Sequence, residues 1–139
     1  MSWVLLGLGS AFFAALVAIF GKIGLQGVDT TLATTIRVAI MAVLFAVVSV
    51  VLGKFKLAGA IEHKALLYIV LSAVAGGLSW LCYFAALKIG PAAGVAAMDR
   101  LSIVVIIILA AVFLAEPITW KAGLGALLIT LGALLFIFK

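Results

Sequence analysis

Three charged side chains interrupt long apolar runs in this sequence and are the first candidates for chemistry. Arg37 lies about two helical turns into one run, and Asp99 and Arg100 lie about two turns into a later run. A charge near the middle of a bilayer costs a few kcal/mol, so such residues usually face a polar cavity or a partner. The sequence therefore predicts Arg37, Asp99 and Arg100 as substrate-binding residues.

A second interpretation of the two arginines stays open at this point. An arginine near a helix end can extend its long side chain to the lipid headgroups, whereas the short side chain of Asp99 cannot reach far. Neighbours on a helix point about 100° apart, so Asp99 and Arg100 do not share one face. Asp99 is therefore expected to pair with an arginine from another helix or another subunit.

Aromatic residues form a stripe on one later segment. Trp80, Tyr83, Phe84 and Leu87 follow one another at helical spacings of three and four. Such a stripe can line an apolar substrate cavity, with the Tyr hydroxyl and the Trp N–H as polar contacts. It is more often typical of a packed or lipid-facing helix surface, which periodicity alone favours. We name Trp80, Tyr83 and Phe84 as further substrate-binding candidates.

The chain has little that suggests catalysis. It contains no nucleophile beside a base, no phosphate-binding glycine loop and no redox pair, so we predict that it is not an enzyme. His63 beside Glu62 is too little for a metal site, and Cys82 stands alone, so no metal or cofactor is predicted. The basic residues are scattered singly near the ends of apolar runs, which fits headgroup contacts better than nucleic acid.

The composition indicates how these residues are positioned. The chain has 139 residues, of which 69% are apolar, with nine Lys plus Arg and four Asp plus Glu, and its mean hydropathy is +1.55. A soluble domain is about half apolar and a quarter charged, so this is a membrane protein. Apolar runs long enough to cross a bilayer repeat along the chain. We predict an all-α membrane protein with five transmembrane helices in one domain, at about residues 2–22, 30–52, 65–87, 91–115 and 119–138.

Local signals mark the connections and one packing face. Asp29 can cap the second helix through its carboxylate, and Gly90-Pro91 fits a tight reversal before the fourth helix. In the fifth helix, Gly125 and Gly132 lie two turns apart and form a stripe of small residues together with the alanines that follow them. Small residues let membrane helices approach closely, so this stripe predicts a packing surface.

These motifs together resemble one EamA repeat of the drug/metabolite transporter superfamily, over essentially the whole chain. The resemblance is carried by several motifs in order, which are Arg37 early in the second helix, Trp80-x-x-Tyr83-x-x-Ala86-Leu87, Gly90-Pro91, Glu116-Pro117 and Gly125-x-x-x-Ile129-x-x-Gly132. The fourth helix departs from the pattern, because Asp99-Arg100-Leu101-Ser102 stands where many repeats are uncharged and contain a proline.

The resemblance implies a multi-pass transporter of small metabolites in the plasma or inner membrane, working by alternating access. Usual members carry two inverted repeats and this chain carries one, so the resemblance implies an antiparallel homodimer. Two alternatives stay open: a non-transporting membrane subunit or scaffold, and a component of a flippase for lipid-linked sugars. The charged fourth helix and the aromatic third helix favour transport, since a scaffold needs neither.

The distribution of basic residues agrees with insertion in both orientations. Orientation is set by the balance of Lys and Arg in the short loops on the two sides. One side would carry Lys54, Lys56, Lys64 and Lys121, and the other Lys22, Lys88 and Lys139, joined by Arg37 and Arg100 if those reach outward. Four basic residues on one side against three to five on the other give no decisive bias in orientation.

Overall fold

The fold is entirely helical in the part of the chain that the structure, a computed structural model, describes, which is residues 2–137. This confirms the predicted all-α membrane protein. The helices are α1 (Ser2–Gly24), α2 (Thr30–Val51), α3 (His63–Ile89), α4 (Ala92–Asp99), α5 (Ser102–Phe113) and α6 (Trp120–Leu135), with a 3-10 segment at Lys54–Ala60 between α2 and α3.

The helix lengths correspond to about five membrane spans. The helices α1, α2 and α3 are each long and apolar enough to cross a bilayer, and so is Ala92–Phe113, which contains α4 and α5. The first three predicted spans agree with the observed helices to within two residues at each end. The last, α6, has 16 residues and is shorter than expected. The predicted end of that span at residue 138, and Lys139 beyond it, lie outside the described residues.

The predicted fourth helix at 91–115 corresponds to Ala92–Phe113, in which the α-helical hydrogen bonding is interrupted once. The α-helix stops at Asp99 and resumes at Ser102. At the break, the N–H groups of Arg100, Leu101 and Ile103 donate to carbonyls three residues back rather than four, as in a tightened 3-10 turn. Run length alone cannot reveal such a break, because hydropathy is continuous across it.

The described residues divide into two compact units. One consists of Gly21–Lys88, and the other contains the described residues on either side of it. In the second unit, α6 packs against α4 and α5. The small residues of α6 lie on its more buried side, with Ala133 fully packed, while Leu124, Leu127 and Leu131 are exposed. An added Cβ at Gly125 or at Gly132 would meet nothing within 4 Å, so the close helix approach that the stripe predicts stays a prediction.

Polar contacts at the helix ends organise the Gly21–Lys88 unit. The Asp29 carboxylate accepts from the Leu32 N–H at 2.9 Å, which confirms the predicted cap of α2. Lys22, near the end of α1, donates through Nζ to the carbonyls of Leu87 (2.6 Å) and Lys88 (3.2 Å) at the end of α3. The last carbonyls of a helix have no partner within it, so a lysine there satisfies them and complements the helix dipole.

We expect Lys22→Met to destabilise the protein by about 1–3 kcal/mol, since it removes a charged donor from carbonyls that then have no partner. Methionine keeps most of the apolar part of the side chain, so the loss of stability measures the contribution of the ammonium group. The control is Lys121→Met, which removes an exposed lysine near the start of α6. Thermal unfolding of the two purified variants measures the difference, and an equal loss in both would contradict the capping role of Lys22.

Candidate functional site

The guanidinium of Arg37 lies against two aromatic rings of α3. Its Cζ atom is 4.6 Å from the ring centroid of Trp80 and 4.6 Å from that of Phe84. Both distances lie within the range of cation–π attraction, worth about 0.5–2 kcal/mol each depending on desolvation. The guanidinium of Arg37 therefore faces α3.

The helix geometry explains why these three side chains meet. Trp80 and Phe84 are four residues apart on α3, so their rings lie one turn apart on the same face. This face is the packed one, since Phe84 is 4% exposed and Leu87, one turn further along, is fully buried. Arg37 is seven residues into α2, or about 10 Å from the start of that helix.

Gly21 allows α1 to approach this aromatic face. A Cβ atom added at Gly21 would lie 2.7 Å from Cε1 of Phe84 and 3.1 Å from Cδ2 of Leu87. The first distance is too short for any side chain to be accommodated without movement. Glycine at this position therefore sets where the Phe84 ring lies, and through that ring it sets the position of the Arg37 guanidinium.

The guanidinium retains hydrogen-bonding capacity in this position. Among residues 2–137, Nη1 of Arg37 is buried and makes no hydrogen bond. Aromatic faces attract the positive charge without accepting the N–H groups that lie in the guanidinium plane. A buried donor without a partner costs about 1–3 kcal/mol.

A cavity of about 300 Å³ opens beside this arginine, and we call it the Arg37 cavity. Thr34 lies one turn before Arg37 on α2, is 5% exposed, and donates its hydroxyl proton to the Thr30 carbonyl at 2.7 Å. The remaining lining is apolar and none of it is acidic. The lining residues are Gly21, Gly24, Leu25, Val28, Ala33, Thr34, Ile36, Arg37 and Phe84.

Tyr83 belongs to the same helix face but has a different neighbourhood. Its ring meets that of Phe84 edge to face, with centroids 5.6 Å apart and planes at 88°. Neither Tyr83 nor Trp80 is among the residues that line the Arg37 cavity. Of the candidates predicted from the sequence, the structure thus brings Arg37, Trp80 and Phe84 into direct contact and places Tyr83 beside them.

Asp99 and Arg100 lie in the other compact unit, at the break between α4 and α5. Both side chains are exposed. Their role in substrate binding, and the expected pairing of Asp99 with an arginine, stay predictions. The break itself is a feature that the sequence did not reveal at these positions.

Sequence reasoning missed Gly21 and Thr34. A signal existed for Thr34, because it lies three residues before Arg37 and so shares its helix face. Gly21 lies in a glycine-containing stretch at the end of the first apolar run. Such a stretch indicates a loop between two helices rather than a close contact with another helix. Nothing in the sequence indicates that this glycine meets an aromatic residue more than sixty positions later.

We expect Gly21→Ala to destabilise the protein and to displace Phe84, because overpacking costs about 1–3 kcal/mol. The matched control is Gly7→Ala in the same helix, where an added Cβ meets nothing within 4 Å. There alanine should stabilise the helix by about 0.5–1 kcal/mol. Thermal unfolding of both variants tests this, and a change of the same sign in both would contradict the close approach at Gly21.

Comparisons with known proteins give one family and one relative. Residues 1–138 match a family described as the EamA-like transporter family. A Sinorhizobium protein described as an uncharacterized transporter in the cobO 3′ region is 40% identical over 134 residues, which cover 96% of this chain and 95% of that protein. No solved structure matches the chain significantly.

Proposed function

Because the chain belongs to the EamA-like transporter family, we propose that it carries small metabolites across the membrane by alternating access. The observation that supports a substrate site is the cavity that Arg37 lines. Among the residues that the structure describes, one nitrogen of this guanidinium, Nη1, is buried and makes no hydrogen bond. Family membership points to transport rather than catalysis.

The proposed working unit is an antiparallel homodimer. Alternating access of this kind uses two inverted halves around a central site, and the resemblance assigns a single repeat to this chain. The Sinorhizobium relative has nearly the same length, so it too has the length of one repeat. With about five spans, two copies must insert in opposite orientations to become inverted halves, and the balanced basic residues permit both.

The proposed substrate path includes the broken fourth span. In many transporters, discontinuous helices expose backbone groups and charges where substrate or coupling ions pass. Asp99 and Arg100 lie where α4 ends and α5 begins, and we keep both as proposed substrate-binding residues. In the Gly21–Lys88 unit, the proposed substrate-binding residues are Arg37, Trp80, Tyr83 and Phe84. The multi-pass chain is assigned to the plasma or inner membrane, where helical spans are the usual solution to backbone hydrogen bonding in lipid.

A binding screen followed by a transport assay tests the proposal. The purified protein is heated with a panel of small anionic, neutral and cationic metabolites, because a ligand at a hundred times its Kd stabilises the folded state by about 2.7 kcal/mol. Compounds that stabilise are then assayed for counterflow in proteoliposomes. We expect saturable counterflow of at least one compound. Binding without counterflow in either direction would favour the non-transporting subunit and contradict the proposal.

A further inference from the structure

We propose that the Arg37 cavity binds a small monoanionic carboxylate whose remaining part is apolar. This inference rests on the proposed transport function, because it names the substrate class for the same site. It follows from three properties of the cavity: its charge, the capacity of its polar groups, and its size and lining.

The charge of the cavity favours an anion. Arg37 is the only ionisable residue among those that line it, so the lining carries one positive charge and no negative one. The two rings that hold the guanidinium attract its charge without neutralising it. An ammonium group entering the cavity would meet a like charge and no carboxylate. A carboxylate can accept charge-assisted hydrogen bonds from the guanidinium edge.

The number of charges favours a monoanion over a phosphate ester. One guanidinium can balance one negative charge, and a second charge would remain unpaired in an apolar cavity, which costs several kcal/mol. A phosphate monoester carries about −1.5 to −2 at neutral pH. A carboxylate carries one charge and matches the planar guanidinium with two oxygens.

The other polar group of the lining is already engaged. The Thr34 hydroxyl donates to the Thr30 carbonyl at 2.7 Å, so its proton is not free for a ligand. The remaining lining side chains, such as Leu25, Val28 and Ile36, offer only apolar contacts. A substrate with many hydroxyl groups would lose hydrogen bonds to water without replacing them, so the part of the ligand beyond the carboxylate is apolar.

The volume of the cavity, about 300 Å³, restricts the ligand to a small molecule. It lies at the lower end of the range of about 300–1,000 Å³ found for ligand pockets. Phenylacetate is a suitable probe, because phenylacetamide and phenethylamine keep its ring and replace the carboxylate by a neutral amide or an ammonium group. Phenyl phosphate serves as the dianionic comparison.

Trp80 provides a local signal for binding, because its ring contacts the Arg37 guanidinium. In a Trp3→Phe, Trp120→Phe background, Trp80 is the only tryptophan, and its fluorescence is titrated with each probe in phosphatidylcholine nanodiscs. We expect phenylacetate to bind at least tenfold more tightly than the amide, the amine or phenyl phosphate. Arg37→Gln should remove this preference, and the control Lys121→Gln should retain it. Equal binding of the amide, or a preference that survives Arg37→Gln, would overturn the proposal.

An anionic lipid headgroup could also supply a single negative charge to the cavity. A second set of nanodiscs distinguishes a bound headgroup from a bound free carboxylate. The titration is repeated with one third phosphatidylglycerol. If phenylacetate binds with the same affinity to within threefold, the cavity takes the free carboxylate. If phosphatidylglycerol abolishes phenylacetate binding, the headgroup occupies the site and the substrate proposal is wrong.

A counterflow assay with the same probes tests the carboxylate inference and the transport proposal separately. Carboxylate-selective binding without counterflow of phenylacetate would leave the inference standing and contradict transport. Counterflow of the amine or amide at the same rate as phenylacetate would support transport and overturn the inference. Selective counterflow of phenylacetate that is lost in Arg37→Gln would support both.

Discussion

Replacing Arg37 by methionine is expected to lower transport about tenfold to a hundredfold or more, the equivalent of losing a charged hydrogen bond worth about 1.5–3 kcal/mol. Methionine keeps an unbranched apolar chain that can still lie against Trp80 and Phe84. It removes the only charge that lines the cavity. The measurement is initial counterflow rate in proteoliposomes, normalised to the amount of reconstituted protein.

The same substitution should leave stability nearly unchanged. Arg37→Met loses two cation–π contacts but also removes a buried nitrogen that has no hydrogen-bond partner, and these effects oppose each other. Functional sites often carry such unfavourable groups, and their replacement commonly costs activity rather than stability. A large fall in the unfolding temperature of Arg37→Met would mean that the arginine has a structural role instead.

Arg37→Lys distinguishes charge from geometry. Lysine keeps the positive charge, but its compact ammonium cannot present a planar edge to a carboxylate while its faces rest on two rings. We expect an intermediate loss, of about tenfold in affinity, with the preference for anions retained. If Arg37→Lys were as active as the unmodified protein, charge alone would suffice and the contacts with Trp80 and Phe84 would not matter for binding.

Fixing all molecules in one orientation is the second change expected to have a large effect. Adding two lysines to the exposed 3-10 segment, through Ala58→Lys and Ala60→Lys, should retain that loop on the cytoplasmic side. Removing two, through Lys54→Gln and Lys56→Gln, should favour the opposite orientation. Because an antiparallel dimer needs both orientations, each variant alone should lose at least about nine tenths of its transport, and co-expression should restore it.

Reporter fusions after the last residue measure the orientation, and transport is measured on the same cells. The control is Ala58→Gln with Ala60→Gln, which changes the same positions without adding charge. If either biased variant has a single orientation and still transports normally by itself, the antiparallel homodimer is wrong. A separate homologous partner that supplies the inverted half would then be the better explanation.

Much of the helical architecture was predictable from the sequence, because membrane helices depend mainly on local properties. Long apolar runs, the cap at Asp29 and the start of α4 after Pro91 all depend on residues that are close together in the chain. A helix in lipid satisfies its backbone internally, so the length and apolarity of a run nearly determine that it is a span. The same local signals made Arg37 and the aromatic stripe candidates.

The candidate site was only partly predictable, since it depends on residues that are distant in the chain. The sequence indicated that Trp80 and Phe84 share a face, but which charge meets that face depends on how α2 and α3 are placed. After Asp99 the backbone hydrogen bonds span three residues instead of four, and hydropathy does not indicate this change.

By itself, the sequence determined that this chain is an all-helical membrane protein and which few residues within its spans could carry chemistry. Only the tertiary structure decided that Arg37 lies against Trp80 and Phe84, with one nitrogen that has no hydrogen-bond partner within residues 2–137, and that Gly21 packs against Phe84. The physical reason is that apolarity and helical periodicity act over a few neighbouring residues. Contacts between helices depend on shape and distance across the fold, which no local pattern records.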